Sequence, residues 1–507
     1  MRTNLLLVVG LVLAAVRGNA TDLLLRNVVV YDGTGAPGYP AAVRVHGDRI
    51  VAVGPHLVRK PGEALREGGG LALSPGFIDM HSHGDRGLLQ DLDAATISRQ
   101  GVTTIFVGQD GRSNFPLRKF FQQLAATPPA INVASMVGHA TLRMEVMGKD
   151  LYRPSTAAEL QRMKRLLVSE LTAGAFGLST GLEYEQAHAA TTAEVVELSK
   201  VAAANHGFYI SHVRNEAEST FESFDEVLRI AREARIPVEI THIKLGATSV
   251  WHQAATRMPG YFATAQREHL DLKADVYPYT FWYSTIRVLI PDGDYYNPEK
   301  VARALTENGG PSAILISRYT PDPTLAGKTL DDFATAWRVT PVEAYMRVVR
   351  ETSAEVNADE PLESVNVTSM SEDDVRWFIA QPEIMFSSDG ELHGSHPRGA
   401  GAFPRVLGLY VREEKVLPLT KAIHKMTGLP AQQLGLSDRG SIAPGCVADL
   451  VLFDPATVRD GSTIEHPEAP PVGISAVMVA GEWVIDAGRV TGKHPGRVLR
   501  RASTRVL

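Results

Sequence analysis

Residues 75–85 read P-G-F-I-D-M-H-S-H-G-D. Pro75 and Gly76 interrupt what precedes them, and Phe77 and Ile78 read as a short buried strand. His81 and His83 follow, one residue apart. Side chains alternate along a strand, so i and i+2 point the same way. Two imidazoles therefore stand together at the strand's end, a spacing suited to one metal ion.

Downstream, seven more strand-like runs alternate with helical stretches: T-T-I-F-V-G, I-N-V-A-S-M-V-G-H, A-F-G-L-S-T-G-L-E-Y, F-Y-I-S-H-V-R, V-E-I-T-H-I-K, L-K-A-D-V-Y-P-Y and I-M-F-S-S-D. Amphipathic segments such as F-D-E-V-L-R-I-A-R-E-A lie between several of them. Eight parallel β/α units close into a (β/α)8 TIM barrel, and a doubly wound open sheet is the competing α/β arrangement. The polar residues decide between them. His81 and His83, Asp110, His139, Glu183, His212, His242 and Asp389 all fall at the C-terminal ends of runs. In a barrel those ends meet on one face, where active sites of this architecture lie, whereas an open sheet would spread them apart.

The flanks read differently. Residues 21–74 alternate and turn like a small sheet, with a hairpin at His46-Gly47-Asp48, and A-D-L-V-L-F-D and I-S-A-V-M-V-A-G-E-W-V-I repeat that pattern within residues 436–507. The two ends are expected to form one small β-sandwich domain beside a barrel at 75–435. The stretch between the seventh and eighth runs is too long for a structureless loop. Its helical pattern and the possible strand A-I-L-I-S predict an inserted subdomain at about 287–375.

Composition narrows the function. Hydrophobic residues at 44% and charged residues at 21% describe an ordinary globular chain. A net charge of −6 over 507 residues gives no electrostatic reason to expect nucleic acid. Residues 1–20 carry Arg2, an uncharged apolar run from Leu5 to Val16, and small residues at Gly18 and Ala20. That pattern reads as a secretory signal peptide, too short for a membrane span, so export without stable membrane insertion is expected. Cys446 is the single cysteine, which rules out an intramolecular disulfide. The sequence sets no oligomeric state.

Four histidines with carboxylates favour a borderline-soft ion, and one or two Zn²⁺ are expected. Such an ion activates water and polarises a carbonyl, while a carboxylate such as Asp389 moves the proton. Arg214, Lys244, Tyr283 and Arg398 are candidate contacts for a substrate carboxylate, because guanidinium, ammonium and phenol groups match that anion.

These stretches, with H-P-R-G-A-G-A-F-P-R-V-L and G-S-I-A-P-G-C-V-A-D-L-V-L-F-D, resemble the amidohydrolase superfamily, and within it the D-aminoacylase (N-acyl-D-amino-acid deacylase) group. The resemblance spans about Asp22 to Leu499. It implies that His81 and His83 bind one metal position, His212 and His242 the other, and that Asp389 is the acid/base. D-aminoacylases often read G-N-C-G at the second strand, where the cysteine is a ligand; this chain reads G-Q-D-G, with Asp110 in that place. A glutamate at the fourth strand is a superfamily alternative, so Glu183 is the preferred bridging ligand and Asp110 the other choice. The resemblance implies a small-molecule substrate with a free carboxylate and hydrolysis of the amide of an N-acyl-D-amino acid or of a dipeptide with a D-residue. A cyclic amide or a deaminase substrate is the alternative. A non-catalytic binding protein is disfavoured, because the histidines and Asp389 are all present.

Overall fold

The structure, a computed structural model, describes residues 22–353 and 361–501. The expected signal peptide lies outside the described residues.

Eight strands form the barrel: β1 Phe77–Asp79, β2 Val102–Val107, β3 Asn132–Ser135, β4 Gly177–Gly181, β5 Phe208–His212, β6 Val238–Ile240, β7 Leu272–Val276 and β8 Ile384–Phe386. Every neighbouring pair is parallel. β3 breaks at Met136 and resumes as Val137–Gly138, which pairs with β4. The ring closes beyond the strand ends, where Asp389 N donates to His81 O at 2.8 Å and His83 N to Gly390 O at 2.9 Å. A closed ring excludes the open sheet.

The helices between the strands follow from their sequences. Thr220–Ala234 buries Phe221, Phe224, Val227, Leu228, Ile230 and Ala231, a stripe at helical spacing, against the barrel. Ala157–Ala173 begins with a reciprocal Thr156–Glu159 capping box and ends at Gly174, whose φ of +115° suits a residue without Cβ.

Both chain ends build one nine-stranded sheet. Ala72–Pro75 stitches it together, running parallel to Asp22–Val30 and antiparallel to Leu450–Phe453. A bulge around Asn27 (φ +57°) bends the first strand, and the sheet curls around a core that includes Leu25, Val43, Leu73, Leu450 and Met478. This is the β-sandwich expected from the two termini. Cys446 is buried there as a free thiol.

Between β7 and β8 the chain forms a separate antiparallel sheet from Phe281–Ser284, Glu363–Thr368, Ile314–Tyr319 and Lys328–Thr329. It begins ahead of residue 287 because Phe281–Ser284 pairs with Glu363–Thr368. One face, with Ile314, Ile316, Val365 and Val367, packs on the subunit's own helices. This insertion reaches the loops after β4, β5 and β6: Tyr295 bonds Glu185, Arg303 pairs with Glu218 at 2.6 Å, and Thr248 N donates to Glu307 O at 2.8 Å. No helix among the described residues is long and apolar enough to cross a membrane.

Candidate metal centre

The strand ends aim their side chains at one point. Asp110, His242 and Asp389 take left-handed backbone conformations, with φ of +54°, +34° and +50°. For residues other than glycine these are sparsely populated, and such departures concentrate at functional sites. Each one turns the chain sharply at a strand end and brings its side chain over the barrel axis. Gly181 permits the crowding, since a Cβ there would stand 2.3 Å from Asp110 O.

Asp110 is the hub. Its Oδ2 lies 3.2 Å from His83 Nε2, and its Oδ1 lies 3.5 Å from His81 Nε2, 3.3 Å from His242 Nε2 and 3.9 Å from His212 Nδ1. Asp389 Oδ1 is 3.3 Å from both His81 Nε2 and His83 Nε2. All of these groups are buried or nearly so. His81 Nε2 and His83 Nε2 face each other at 3.3 Å, and His212 Nδ1 faces His242 Nε2 at 3.2 Å. Each imidazole pair has at most one proton to share, with two carboxylates directed at the same space. A cation resolves that arrangement. The ligand atoms of His81, Asp110, His242 and Asp389 lie within 4.8 Å of one another, as do those of His212, Glu216 and His242. The residues therefore fit a binuclear metal centre built from imidazole and carboxylate donors.

The surrounding groups orient these rings. Thr241 Oγ1 bonds His81 Nδ1, which leaves Nε2 for the centre. Glu183 Oε2 lies 2.9 Å from His212 Nε2, and Glu183 Oε1 accepts from Glu216 N at 3.2 Å. Glu183 thus stands behind His212 rather than between the two histidine pairs. The place within 4 Å of all four imidazoles, expected for Glu183, is taken by Asp110.

Electrostatics follow from the geometry. Burial would push Asp389 up, but Arg398, with His81 and His242, holds it well below the ordinary carboxylate range. Asp110 is likewise held down, against its burial, by His81 and His242. Tyr184 packs against His212 at a tilt of 38°, with ring centroids 4.5 Å apart. Burial, reinforced by Asp110, Glu216 and Asp389, raises its pKa well above the usual phenol value, so it keeps its proton.

The four candidates for a substrate carboxylate divide. Arg398 Nη1 lies 2.6 Å from Asp389 Oδ2. Lys244 Nζ donates to Glu216 Oε1 and Oε2 at 2.8 and 2.7 Å. Tyr277, not assigned from the sequence, sits with both: its ring is 4.7 Å from the Arg398 guanidinium and 5.7 Å from Lys244 Nζ. Its buried hydroxyl has no hydrogen-bond partner among the described residues. Arg214 is placed elsewhere. β5 ends at His212, and the Arg214 fork turns outward to grip Glu226 through Nε and Nη2, both at 2.8 Å. Tyr283 lies on the inserted sheet opposite Asn366 and makes no described contact with the centre. His139 is packed, with Nε2 2.8 Å from Glu194, which also receives Arg143.

Glu216 is a further site residue that sequence reading missed, as are Tyr184 and Tyr277. Besides Lys244, Glu216 approaches His242 Nδ1 at 3.1 Å. Its signal was present, four residues after His212 in F-Y-I-S-H-V-R-N-E.

Comparison with known proteins agrees with this geometry. Residues 69–485 match the model of the amidohydrolase family. D-aminoacylase of Alcaligenes xylosoxydans xylosoxydans is 35% identical over 95% of this chain and 98% of its own. The N-acyl-D-glutamate deacylase of the same organism is 34% identical over 95% and 96%. Among solved structures, a D-aminoacylase with a binuclear metal centre covers 95% of this chain and 100% of its own, at TM-score 0.82 and 35% identity. N-acyl-D-glutamate deacylase of Bordetella bronchiseptica, complexed with zinc and a phosphonate mimic of the tetrahedral intermediate, covers 95% and 100%, at TM-score 0.83 and 32% identity.

Proposed function

Because this chain belongs to the amidohydrolase family, among the D-aminoacylases and their deacylase relatives, we propose that it is a zinc-dependent hydrolase of N-acyl-D-amino acids. One observation carries the reading: four imidazoles and the carboxylates Asp110 and Asp389 converge at the barrel mouth. His81, His83, Asp110 and Asp389 would hold one ion, and His212 and His242 the other, with Asp110 and Glu216 both in reach of it. Zinc held there supplies Lewis acidity and lowers the pKa of water.

The chain's own residues supply the rest. Asp389 is ionised, so it accepts a proton from the attacking water and returns it to the leaving amine nitrogen. Tyr184 retains its hydroxyl proton and can donate to the scissile carbonyl oxygen as charge develops there. Lys244, Tyr277 and Arg398 form a cradle for the α-carboxylate, which fixes one end of the substrate and thereby the angle of the amide. With the carboxylate and the carbonyl both fixed, only one enantiomer can direct its side chain into open space; the relatives' names support the D form. Residues 1–20 support export, which N-terminal sequencing of protein recovered from outside the cytoplasm would test.

The test is a panel of N-acetyl-D- and L-amino acids, D-residue dipeptides and cyclic amides, run on zinc-loaded protein with detection of free amine. N-acetyl-D-amino acids are expected to be the best substrates. Asp389→Asn should lower kcat by about 10²–10⁴-fold. Equal turnover of D and L forms, or turnover of cyclic amides alone, would overturn the assignment.

A further inference from the structure

Two acids lie inside the barrel beneath the candidate metal centre, and neither has a role in the hydrolysis proposed for it. In β6, Val238 and Ile240 pack outward in the main core, so Glu239 between them points inward. In β7 the same alternation turns Leu272, Ala274 and Val276 outward and Lys273 and Asp275 inward. Glu239 stands opposite Lys273, one inward step below Asp275. Both carboxyl groups are fully buried. Phe208, Ile210 and Met385 of the flanking strands make much of this interior apolar.

No cation among the described residues pairs with either acid. Lys273 donates instead to Asp271 Oδ1, at 2.7 Å. Glu239 Oε2 accepts from Gln433 Nε2 at 3.4 Å, and Asp275 Oδ1 accepts from His242 N at 3.0 Å. The other two oxygens, Glu239 Oε1 and Asp275 Oδ2, have no partner among the described residues. The two side chains are within hydrogen-bond reach of each other, so what their oxygens lack is a hydrogen between them. Two buried carboxylates in contact are costly when both are charged, and such pairs hold one proton. Burial, reinforced by Asp275, pushes the Glu239 carboxyl well above the ordinary range, which favours the protonated acid there.

Asp275 in turn holds the chain at a metal ligand. Its Oδ1 takes the backbone N–H of His242, and its own carbonyl takes that of Ile243 at 2.8 Å. These two bonds fix the backbone where His242 bends to φ +34°, a sparsely populated conformation that persists only when its surroundings enforce it.

We propose that Glu239 is a positioning residue for the metal centre: its carboxyl donates a hydrogen bond to Asp275 Oδ2, which fixes Asp275 beneath His242 and so aims the imidazole at the ion. Glu239 acts only through Asp275. The proposal rests on the reading of His242 as a metal ligand. Removing a group that orients a ligand from behind typically changes metal affinity by about 10–100-fold.

The experiment loads the full chain with zinc and measures retention of each equivalent by competition with a chromophoric chelator. Glu239→Met removes the hydrogen-bond donor with little change of volume and should weaken one equivalent by about 10–100-fold. Glu239→Gln keeps a donor in its amide and should restore wild-type retention. A residue that merely filled space would not favour glutamine over methionine. Infrared difference spectra of wild type minus Glu239→Gln should show the carbonyl stretch of a protonated carboxyl, a readout that does not require Glu239→Met to fold. Wild-type retention in Glu239→Met, equal loss in both variants, or absence of the protonated carboxyl band would overturn the proposal and leave the binuclear centre standing. Wild-type protein that binds no zinc would overturn the centre itself.

Discussion

Asp110 lies within 4 Å of all four imidazoles at the barrel mouth, closest to His83 at 3.2 Å and farthest from His212 at 3.9 Å. Its loop, G-Q-D-G, and the Glu183 loop, G-L-E-Y, both end strands, and nothing in their composition says which one turns inward. The backbone decides. At Asp110 the chain takes φ +54° and lays the carboxylate among four imidazoles, while Glu183 remains behind His212. Asp110→Ala should therefore cost metal at both positions. Glu183→Ala should keep two equivalents and loosen only the His212 side, because it removes an orienting partner rather than a ligand. Elemental analysis of the two purified variants checks this; loss of a full equivalent from Glu183→Ala alone would return the bridge to the fourth strand. Other misplacements have similar local causes. Arg214 follows His212 by two residues, but the strand stops at His212, so the alternation no longer applies. Tyr283 and Tyr277 lie in one aromatic run, and the bend through Pro278 leaves Tyr277 just past the end of β7 while Tyr283 joins the inserted sheet. By contrast His81, His83, His212, His242 and Asp389 were legible, because each marks the end of a buried strand.

The elements that carry these residues are pinned from outside the barrel. Behind β3, Glu194 accepts from Arg143 Nη1 at 2.7 Å and Ser155 Oγ at 2.6 Å and lies 2.8 Å from His139 Nε2. All of this is buried, apart from the edge at Ser155. Burial would raise the Glu194 pKa, but His139, Ser155 and Arg143 hold it well below the ordinary glutamate value. A carboxylate depressed in the folded state contributes stability that is present above its unfolded pKa and lost as pH falls through the folded value. Burial also depresses His139, and the unfolded chain then takes up a proton there first on acidification, which acts in the same direction. Urea melts should therefore show stability declining from about pH 6 downward. Glu194→Ala should cost about 3–5 kcal/mol at pH 7, because it strands the buried Arg143, and should flatten part of the acid slope. A change below about 1 kcal/mol would mean that the cluster contributes no more than a surface ion pair.

At the scale of the whole molecule, three bodies share the work. The barrel gathers the ligands, the sheet built from both termini ties off the chain ends, and the insertion lies over the mouth. The barrel and the terminal sheet were readable from strand periodicity and from the turn at Gly47. The sheet of the insertion was not, since it depends on pairings between Phe281–Ser284, Ile314–Tyr319 and Glu363–Thr368, which are far apart in sequence. The central claim is that this assembly holds metal ions on which hydrolysis depends. It is tested most directly by stripping the full chain with a chelator, then adding zinc in increments while following bound metal and turnover of an N-acetyl-D-amino acid. The account predicts a folded but inactive metal-free protein, with activity returning as zinc fills the Asp110 centre. Full turnover by protein shown to contain no metal would contradict it.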